Sequence, residues 1–454
     1  MLTIKSPSTY IPERKYIISL LFGYFLGLEH RILFNHETAI TIKGTDGREL
    51  VLADIFFQTP KDDWLTSASL PKKPLPIWDS RQTVTGVPLV DAKVPVIFGK
   101  PTDLSINKSY IPLDILGSAF FMLSRYEELI VLERDIYGRF PASASLAFQN
   151  GFLERPIINE YLEILWGALR QIWPNLSRKK RSFRLIATHD VDIPFEFLSK
   201  PLWKLLLKMG GDISRRRNLF LALKNFVDWT KVRIGYQKDP FNTFNWIMDQ
   251  SERAGIKSSF NMMSGGRTPM DFYYPIDSPD IQSLLKMVID RGHEIGFHPS
   301  YKTATNGSLW WREFERLKAC AKGHDIQGGR QHFLQFQVPT TWRFWSKNGL
   351  AYDSTLMFAD HAGFRCGICY EYPVFDLEKR KEMSLRERPL IVMDRTVVDD
   401  VYQGLGATQT ALDYMLTLKN YCRKFRGDFV LLWHNQRFVD RKEREIYQIL
   451  IGAN

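Results

Sequence analysis

Five places in this 454-residue chain put acidic, histidine or arginine side chains where an apolar run ends. They are Asp190 and Asp192 in "THDVD", His298 in "EIGFHPS", Arg330 and His332 in "GGRQHFL", Asp394 in "LIVMDRT" and His434 in "FVLLWHN". Unpaired carboxylates are costly to bury, so two within three residues need a metal, a cationic partner or a proton-transfer role. Carboxylate and neutral imidazole together form a usual donor set for a divalent Lewis-acid metal, and Asp192 and His298 would supply two such donors. Asp190 precedes Asp192 by two on an extended segment, so it projects to the same side. A carboxylate beside a dication stays ionised, and it can take a proton from a water that the metal has acidified. Arg330 can pair with Asp190 and fix its direction. His434 can give a proton to a leaving group. Together these residues describe metal-assisted hydrolysis of an amide or ester. A plainer reading stands beside this one. Asp190 and Asp192 can cap a turn, and a histidine at a strand end is commonly a satisfied core or surface group. His189, His293, His324 and His361 are read in that way.

These residues need elements that bring them together. From residue 183 onward, strand-like runs ("FRLIATHD", "SSFNMM", "EIGFHPS", "GGRQHFLQF", "LIVMDRT", "FVLLWHN") alternate with helical or loop stretches. That rhythm predicts a parallel α/β sheet or barrel, in which chemistry collects at the C-terminal ends of strands. The first 180 residues read as mixed α and β. "AITIKG", "ELVLADIFF" and "KVPVIFG" look like strands, while "DILGSAFFMLSRYEEL" and "INEYLEILWGALRQIW" look like helices. "PNLSRKKR" (174–181) combines proline, serine and a charge run, and places a boundary between domains 1–178 and 179–454. An insertion over about 201–238 holds nine Lys/Arg against Asp212 and Asp228, interleaved with leucine, phenylalanine and tryptophan. It is either a solvated helical face or a basic amphipathic segment that meets anionic lipid.

Composition sets outer bounds. The chain is 44% apolar and 24% charged, as a globular protein is. Its net charge of +11 suits an acidic partner. It carries no recognised nucleic-acid motif, so nucleic acid is not expected. Cys366 and Cys369 form a lone C-x-x-C, and with Cys320 and Cys422 they are expected to be ordinary thiols. "YIISLLFGYFLGL" (16–28) is too short to span a bilayer, and no small-residue cleavage pattern comes after it. It is expected to be a buried helix. The expected location is cytoplasmic, with the basic insertion able to touch the inner face of the membrane.

The same residues resemble the polysaccharide deacetylase family, the NodB-homology carbohydrate esterases. "RGHEIGFHPS" (291–300) is similar to that family's Gly-His-Glu-Ile-Gly-x-His signature, and "GIKSSFNMM" (255–263) to its second-strand stretch. "LIATHDVD" looks like its Asp-x-Asp motif, "GGRQHFL" occupies the place of its arginine motif, and "LLWH" resembles its final Leu-x-His. The order matches, over about 183–440. A bacterial subgroup associated with surface-polysaccharide (O-antigen) gene clusters looks closest, because "DILGSAFFMLSRYEE" resembles a stretch of its N-terminal domain. The resemblance implies a deformed (β/α) barrel of seven strands, a divalent metal, usually zinc, and hydrolytic removal of acetyl from an N-acetylated sugar; the basic net charge suits a nucleotide- or lipid-linked form of that sugar. It makes Asp190 the base, Asp192 and His298 metal ligands, and His434 the general acid. One departure matters: the family has a second histidine four residues after the first, and here that position is Lys302. An ammonium beside a dication is repelled, so another residue supplies the third ligand or metal binding is lost. His332 follows Arg330 by two and shares its side of an extended strand. His293 and His189 have the wrong parity. The expected ligand set is therefore Asp192, His298 and His332. Trp342, Trp345 and Tyr352 are expected to line a sugar site or to pack in the core, and Asp394 to meet substrate. The alternative to an enzyme is an inactive glycan-binding or scaffolding protein on the same fold.

Overall fold

The computed structural model describes residues 1–82, 84–99, 110–198 and 202–452; Pro201, at the start of the basic insertion, falls outside them. A five-stranded mixed sheet comes first. It is built from β1 (Leu2–Pro7), β2 (His30–Asn35), β3 (Ile40–Lys43), β4 (Glu49–Leu52) and β7 (Tyr110–Ile111), in the order β2–β1–β3–β4–β7. β5 (Ile77–Asp79) and β6 (Lys93–Pro95) form a separate antiparallel ribbon. The apolar run at 16–28 lies in a helix, Ile11–Ile18, that continues more widely wound through Ser19–Phe25 with most side chains buried. "ELVLADIFF" is a strand only to Leu52. Beyond it the chain turns, so that Asp54 pairs with buried Arg14 and the amides of Ile55 and Phe56 reach the Asp114 carboxylate.

The second sheet runs from β8 (Arg184–Val191) through β9 (Ser259–Met262), β10 (Glu294–Phe297), β11 (Gly328–Gly329), β12 (Tyr352–Asp353), β13 (Tyr372–Asp376), β14 (Lys381–Glu387) and β15 (Val392–Met393) to β16 (Asp428–Leu432). Its order is β13–β14–β12–β11–β10–β9–β8–β16–β15. Seven strands, β12 to β15 in that order, are all parallel. β14 then joins β12 in parallel, and β13 folds back on it antiparallel. The seven expected strands thus carry an extra hairpin at one edge. β9, β16 and most of β8 are buried on both faces, which explains why they read as continuous apolar runs rather than alternating ones. "GGRQHFLQF" departs from expectation: the strand stops at Gly329, and His332 opens a short 3-10 turn.

The two parts are joined by buried charge. The helical pattern "DILGSAFFMLSRYEEL" breaks into Ile115–Leu123 and Tyr126–Ile130, because Arg125 adopts a left-handed φ of 57°. From there its guanidinium donates to the carbonyls of Met122 and Arg365 and pairs with Glu127 and Glu128. Arg365, from the loop before β13, pairs with Glu128 at 2.7 Å. Burial pushes the Glu128 carboxyl up, but the two guanidiniums outweigh it and hold it at about 2 against an ordinary 4.5. A depressed carboxyl stabilises the fold above its unfolded value, and that contribution is lost as pH falls through the folded one. Breaking a buried pair typically costs about 3–5 kcal/mol. Glu128→Gln is therefore expected to lower stability by about that amount at pH 7, measured by urea denaturation. The gap to wild type should narrow as pH falls from 4.5 toward 2. A gap that stays constant across that window would mean that Glu128 is not ionised in the fold.

Candidate metal centre and cleft

The parallel register brings the chemistry-bearing residues to one end of the second sheet. Asp190 is level with Asn261, which is level with Gly296, while Phe297 faces Gly329 and Leu432 faces Thr188. Asp192, His298, Arg330, Asp394 and His434 each lie just past the C-terminal end of a strand. Asp192, His298 and His332 are buried, and each offers a ligand atom within 4.8 Å of the others. His298 Nε2 is 3.2 Å and His332 Nε2 3.6 Å from Asp192 Oδ1. His434 Nε2 approaches the other oxygen, Asp192 Oδ2, at 3.6 Å.

Each imidazole is fixed from behind. His298 Nδ1 lies 2.6 Å from the Arg330 carbonyl, His332 Nδ1 3.0 Å from Asp271 Oδ1, and His434 Nδ1 2.8 Å from Asp394 Oδ1. All three partners are acceptors, so Nδ1 carries the proton and a neutral ring turns an Nε2 lone pair inward. For His298 and His332, two such lone pairs aimed at one carboxylate oxygen fit a cation held between them. This is the outer-shell arrangement that metal-ligating histidines use. The group could hold a divalent metal. Burial opposes ionisation of Asp192, yet the surrounding imidazoles hold its carboxyl well below the ordinary range. His298 is raised: burial works against it, and the Asp190 and Asp192 carboxylates prevail.

Asp190 is held separately. Its Oδ1 accepts from Asn261 Nδ2 at 2.7 Å and Arg330 Nη1 at 2.9 Å. Arg330 is fully buried and is itself fixed by Thr188 and by the carbonyl and hydroxyl of Ser354. Burial pushes the Asp190 carboxyl up, and Arg330 with the imidazoles of His298 and His434 brings it below its usual value. Gly296 has a positional reason: a Cβ there would overlap the Asn261 amide that reaches Asp190.

The cleft above this group, about 480 Å³, is lined by Asp190, Asp192, His298, His332 and His434 and walled by Phe333, Arg395, Tyr402 and Arg139. Other expected residues lie elsewhere. Asp394, expected to meet substrate, sits behind His434, accepting from its backbone amide as well as its ring, and does not line the cleft. Trp342 is buried with its indole on Glu387, Trp345 packs on Phe297 and Trp310, and Tyr352 lies under the Arg388 guanidinium; none of them lines the cleft. Lys302 is exposed on the turn after His298. His189 bonds the Trp433 carbonyl, and His293 accepts from the Ser258 amide, both in the core. The four cysteines are free thiols. Asn261, Asp271 and Arg139 were not found from sequence. Asn261 sits inside "SSFNMM", level with Asp190, and parity could have found it. Asp271 and Arg139 lie in loops with no periodicity to mark them.

Residues 2–174 match a family described as one of unknown function (DUF7033). No curated protein matches the chain. Among solved structures, a Mycobacterium smegmatis protein described as a polysaccharide deacetylase is similar over 60% of this chain and 84% of its own, at 17% identity and a TM-score of 0.39. Puue allantoinase is similar over 60% and 82%, at 11% identity and a TM-score of 0.34. A polysaccharide deacetylase by description from Pseudomonas aeruginosa PAO1 is similar over 60% and 83%, at 9% identity and a TM-score of 0.34.

The geometry predicts metal content residue by residue. Protein purified from zinc-supplemented medium should carry close to one divalent ion per chain by elemental analysis. His332→Ala should lose it and His293→Ala should keep it. Asp271→Asn should weaken metal affinity by about 10–100-fold, the usual effect of removing an outer-shell partner. Full occupancy in His332→Ala would remove that residue from the ligand set.

Proposed function

We propose that this chain is a metal-dependent hydrolase that removes acetyl from an N-acetylated sugar during assembly of a surface polysaccharide. One observation carries the reading. A buried Asp192–His298–His332 group is flanked on one side by a carboxylate locked for proton abstraction and on the other by an imidazole locked for proton donation. The order of motifs, resembling that of the polysaccharide deacetylases, supports the same reading. Two guanidiniums in the cleft wall, Arg139 and Arg395, suit a sugar carried on a phosphate, as in a nucleotide- or lipid-linked form.

Zinc held by Asp192, His298 and His332 would supply Lewis acidity toward a carbonyl oxygen and would acidify water. The other roles belong to the chain. Asp190 keeps Oδ1 on Asn261 and Arg330, while Oδ2 faces His298 Nε2 at 3.9 Å. Its depressed carboxyl is ionised at neutral pH, so it accepts a proton as water adds to the acetamide carbon. His434 keeps Nδ1 on Asp394 and turns Nε2 inward. Burial works against its charge, but Asp394 and Asp192 raise it to about 9, which leaves a proton to give at neutral pH. As the C–N bond breaks, that proton passes to the leaving nitrogen, giving acetate and a free amine.

A panel of acetamido-sugar nucleotides and lipid-linked acetamido sugars, read by mass spectrometry for loss of acetyl, tests this. Asp190→Asn should abolish turnover and keep the metal. His434→Ala should slow turnover by about 10²–10⁴-fold. Metal-loaded protein that binds these sugars and releases no acetyl would favour the glycan-binding alternative. Wild-type rates in either variant would remove that residue from the mechanism.

A further inference from the structure

The insertion after β8 folds into a hairpin of two helices, Leu202–Ser214 and Leu219–Arg233. Their mutual contact is settled by polar and small residues. Asn225 donates to Asp212 at 2.7 Å, Arg216 pairs with Asp212, and Leu205 and Ala222 are buried. The opposite faces are apolar and in water. On the first helix Leu202, Leu206, Leu207 and Ile213 fall within about 140° of arc at 100° per residue. On the second, Leu219, Phe220, Leu223, Phe226 and Val227 fall within about 120°. Phe220 is 78% exposed and Leu207 68%. Of the 25 large hydrophobics exposed among the described residues, 12 lie between Leu202 and Tyr236. Apolar exposure gathered on one face of each helix marks a docking face rather than scattered exposure.

Charge selects what docks. Residues 201–238 carry nine Lys/Arg against two Asp, a net +7, with Arg215, Arg216 and Arg217 in the turn between the helices. Two copies of such a face repel each other, whereas an anionic bilayer offers both an apolar interior and negative headgroups. Long basic side chains can keep their charge at headgroup level while their stems lie along the apolar surface. No helix among the described residues is long and apolar enough to cross a membrane, so the hairpin would lie in the interface. Its position also bears on the site. One cavity is lined by Trp203 of the first helix together with Asp192 and Asp271, and its Phe272 also lines the catalytic cleft.

We infer that the 202–233 hairpin seats on an anionic membrane surface and holds the mouth of the cleft at headgroup level. Joined to the hydrolase reading, on which this further step rests, it favours a substrate carried on lipid over one carried on a soluble nucleotide. The test is co-sedimentation of the full chain with phosphatidylcholine vesicles, with and without one-third phosphatidylglycerol. Binding is expected to the anionic vesicles alone and to weaken as salt rises, because exposed charges are screened within about 8 Å at physiological ionic strength. Phe220→Glu with Leu223→Glu should cut partitioning more than tenfold. Arg215→Gln with Arg217→Gln should cut it on the order of tenfold or more, from the loss of two basic residues near the surface. All four side chains are exposed, so the far-UV spectrum and melting temperature should not move. Equal binding to both vesicle types, or none to either, overturns the inference. So does a concentration-dependent dimer that Phe220→Glu dissolves, which would give the face to a second copy. Asp190→Asn should bind vesicles as wild type does, so loss of turnover and loss of docking are read separately.

Discussion

Two carboxylates carried into the dry end of a parallel sheet create a demand for positive charge that the surrounding residues must meet. Asp190 and Asp192 are buried, and burial alone would protonate them. The same sheet shows what happens without enough cation. Asp353 and Glu387, level with each other across β12 and β14, are also buried; burial raises both, and the Asp353 charge raises Glu387 further. Their neighbours are neutral donors: the Thr355 hydroxyl on Asp353, and the Trp342 indole and the Leu356 amide on Glu387. At the strand ends Arg330 and three imidazoles reverse the outcome. The difference between carboxyls raised in the core and carboxyls lowered at the site lies in the partners, not in the depth.

The first 180 residues share in building that site. Tyr137 offers its carbonyl to Tyr301 Oη and Gln335 Nε2, each at 2.6 Å, and Arg139 donates to the Phe333 carbonyl. These contacts bracket the turn that carries His332. Phe333 and Leu334 hold φ of 63° and 53° there, left-handed values that cost a non-glycine residue about 1–2 kcal/mol each. Such strain persists only where surrounding contacts over-determine the backbone. The N-terminal part therefore helps to hold a turn of the site and walls its cleft through Arg139, while the buried Arg125–Glu128–Arg365 cluster holds the two parts together.

Much of this was legible in the sequence, for reasons that can be named. Buried parallel strands read as apolar runs, so β8, β9, β10 and β16 stood out, and the polar residues at strand ends pointed to the group that gathers at one end of the sheet. β11 and β15, only two residues long, were still marked by the runs "GGRQHFLQF" and "LIVMDRT", whereas β12, equally short, left no such trace. Parity singled out His332 on the assumption of an extended strand from Arg330. The backbone there is a 3-10 turn, yet His332 faces Asp192, because the Pro299 carbonyl accepts its amide and Asp271 takes its ring. For Trp342 and Tyr352 the sequence left a sugar site and the core as alternatives, because an aromatic side chain carries no mark of which it faces; both lie in the core. Asp271 and Arg139 depend on loop geometry, which one-dimensional spacing does not encode.

Three histidines converge on Asp192 with their rings tied from behind, and still they are not equivalent. His298 and His332 share Oδ1, while His434 takes Oδ2. The ties differ in charge: a neutral carbonyl for His298, and carboxylates for His332 and His434. Both carboxylates are buried, but Asp394 also holds the His434 amide at 2.7 Å, so it binds that histidine twice, whereas Asp271 divides its oxygens among Thr268, Tyr301 and His332. A fully desolvated carboxylate on Nδ1 favours the imidazolium, which suits a ring that must hold a proton at neutral pH. The split of the Asp192 oxygens and the double hold of Asp394 set His434 apart from His298 and His332, as the proposed division of labour, two rings for a metal and one for a proton, requires.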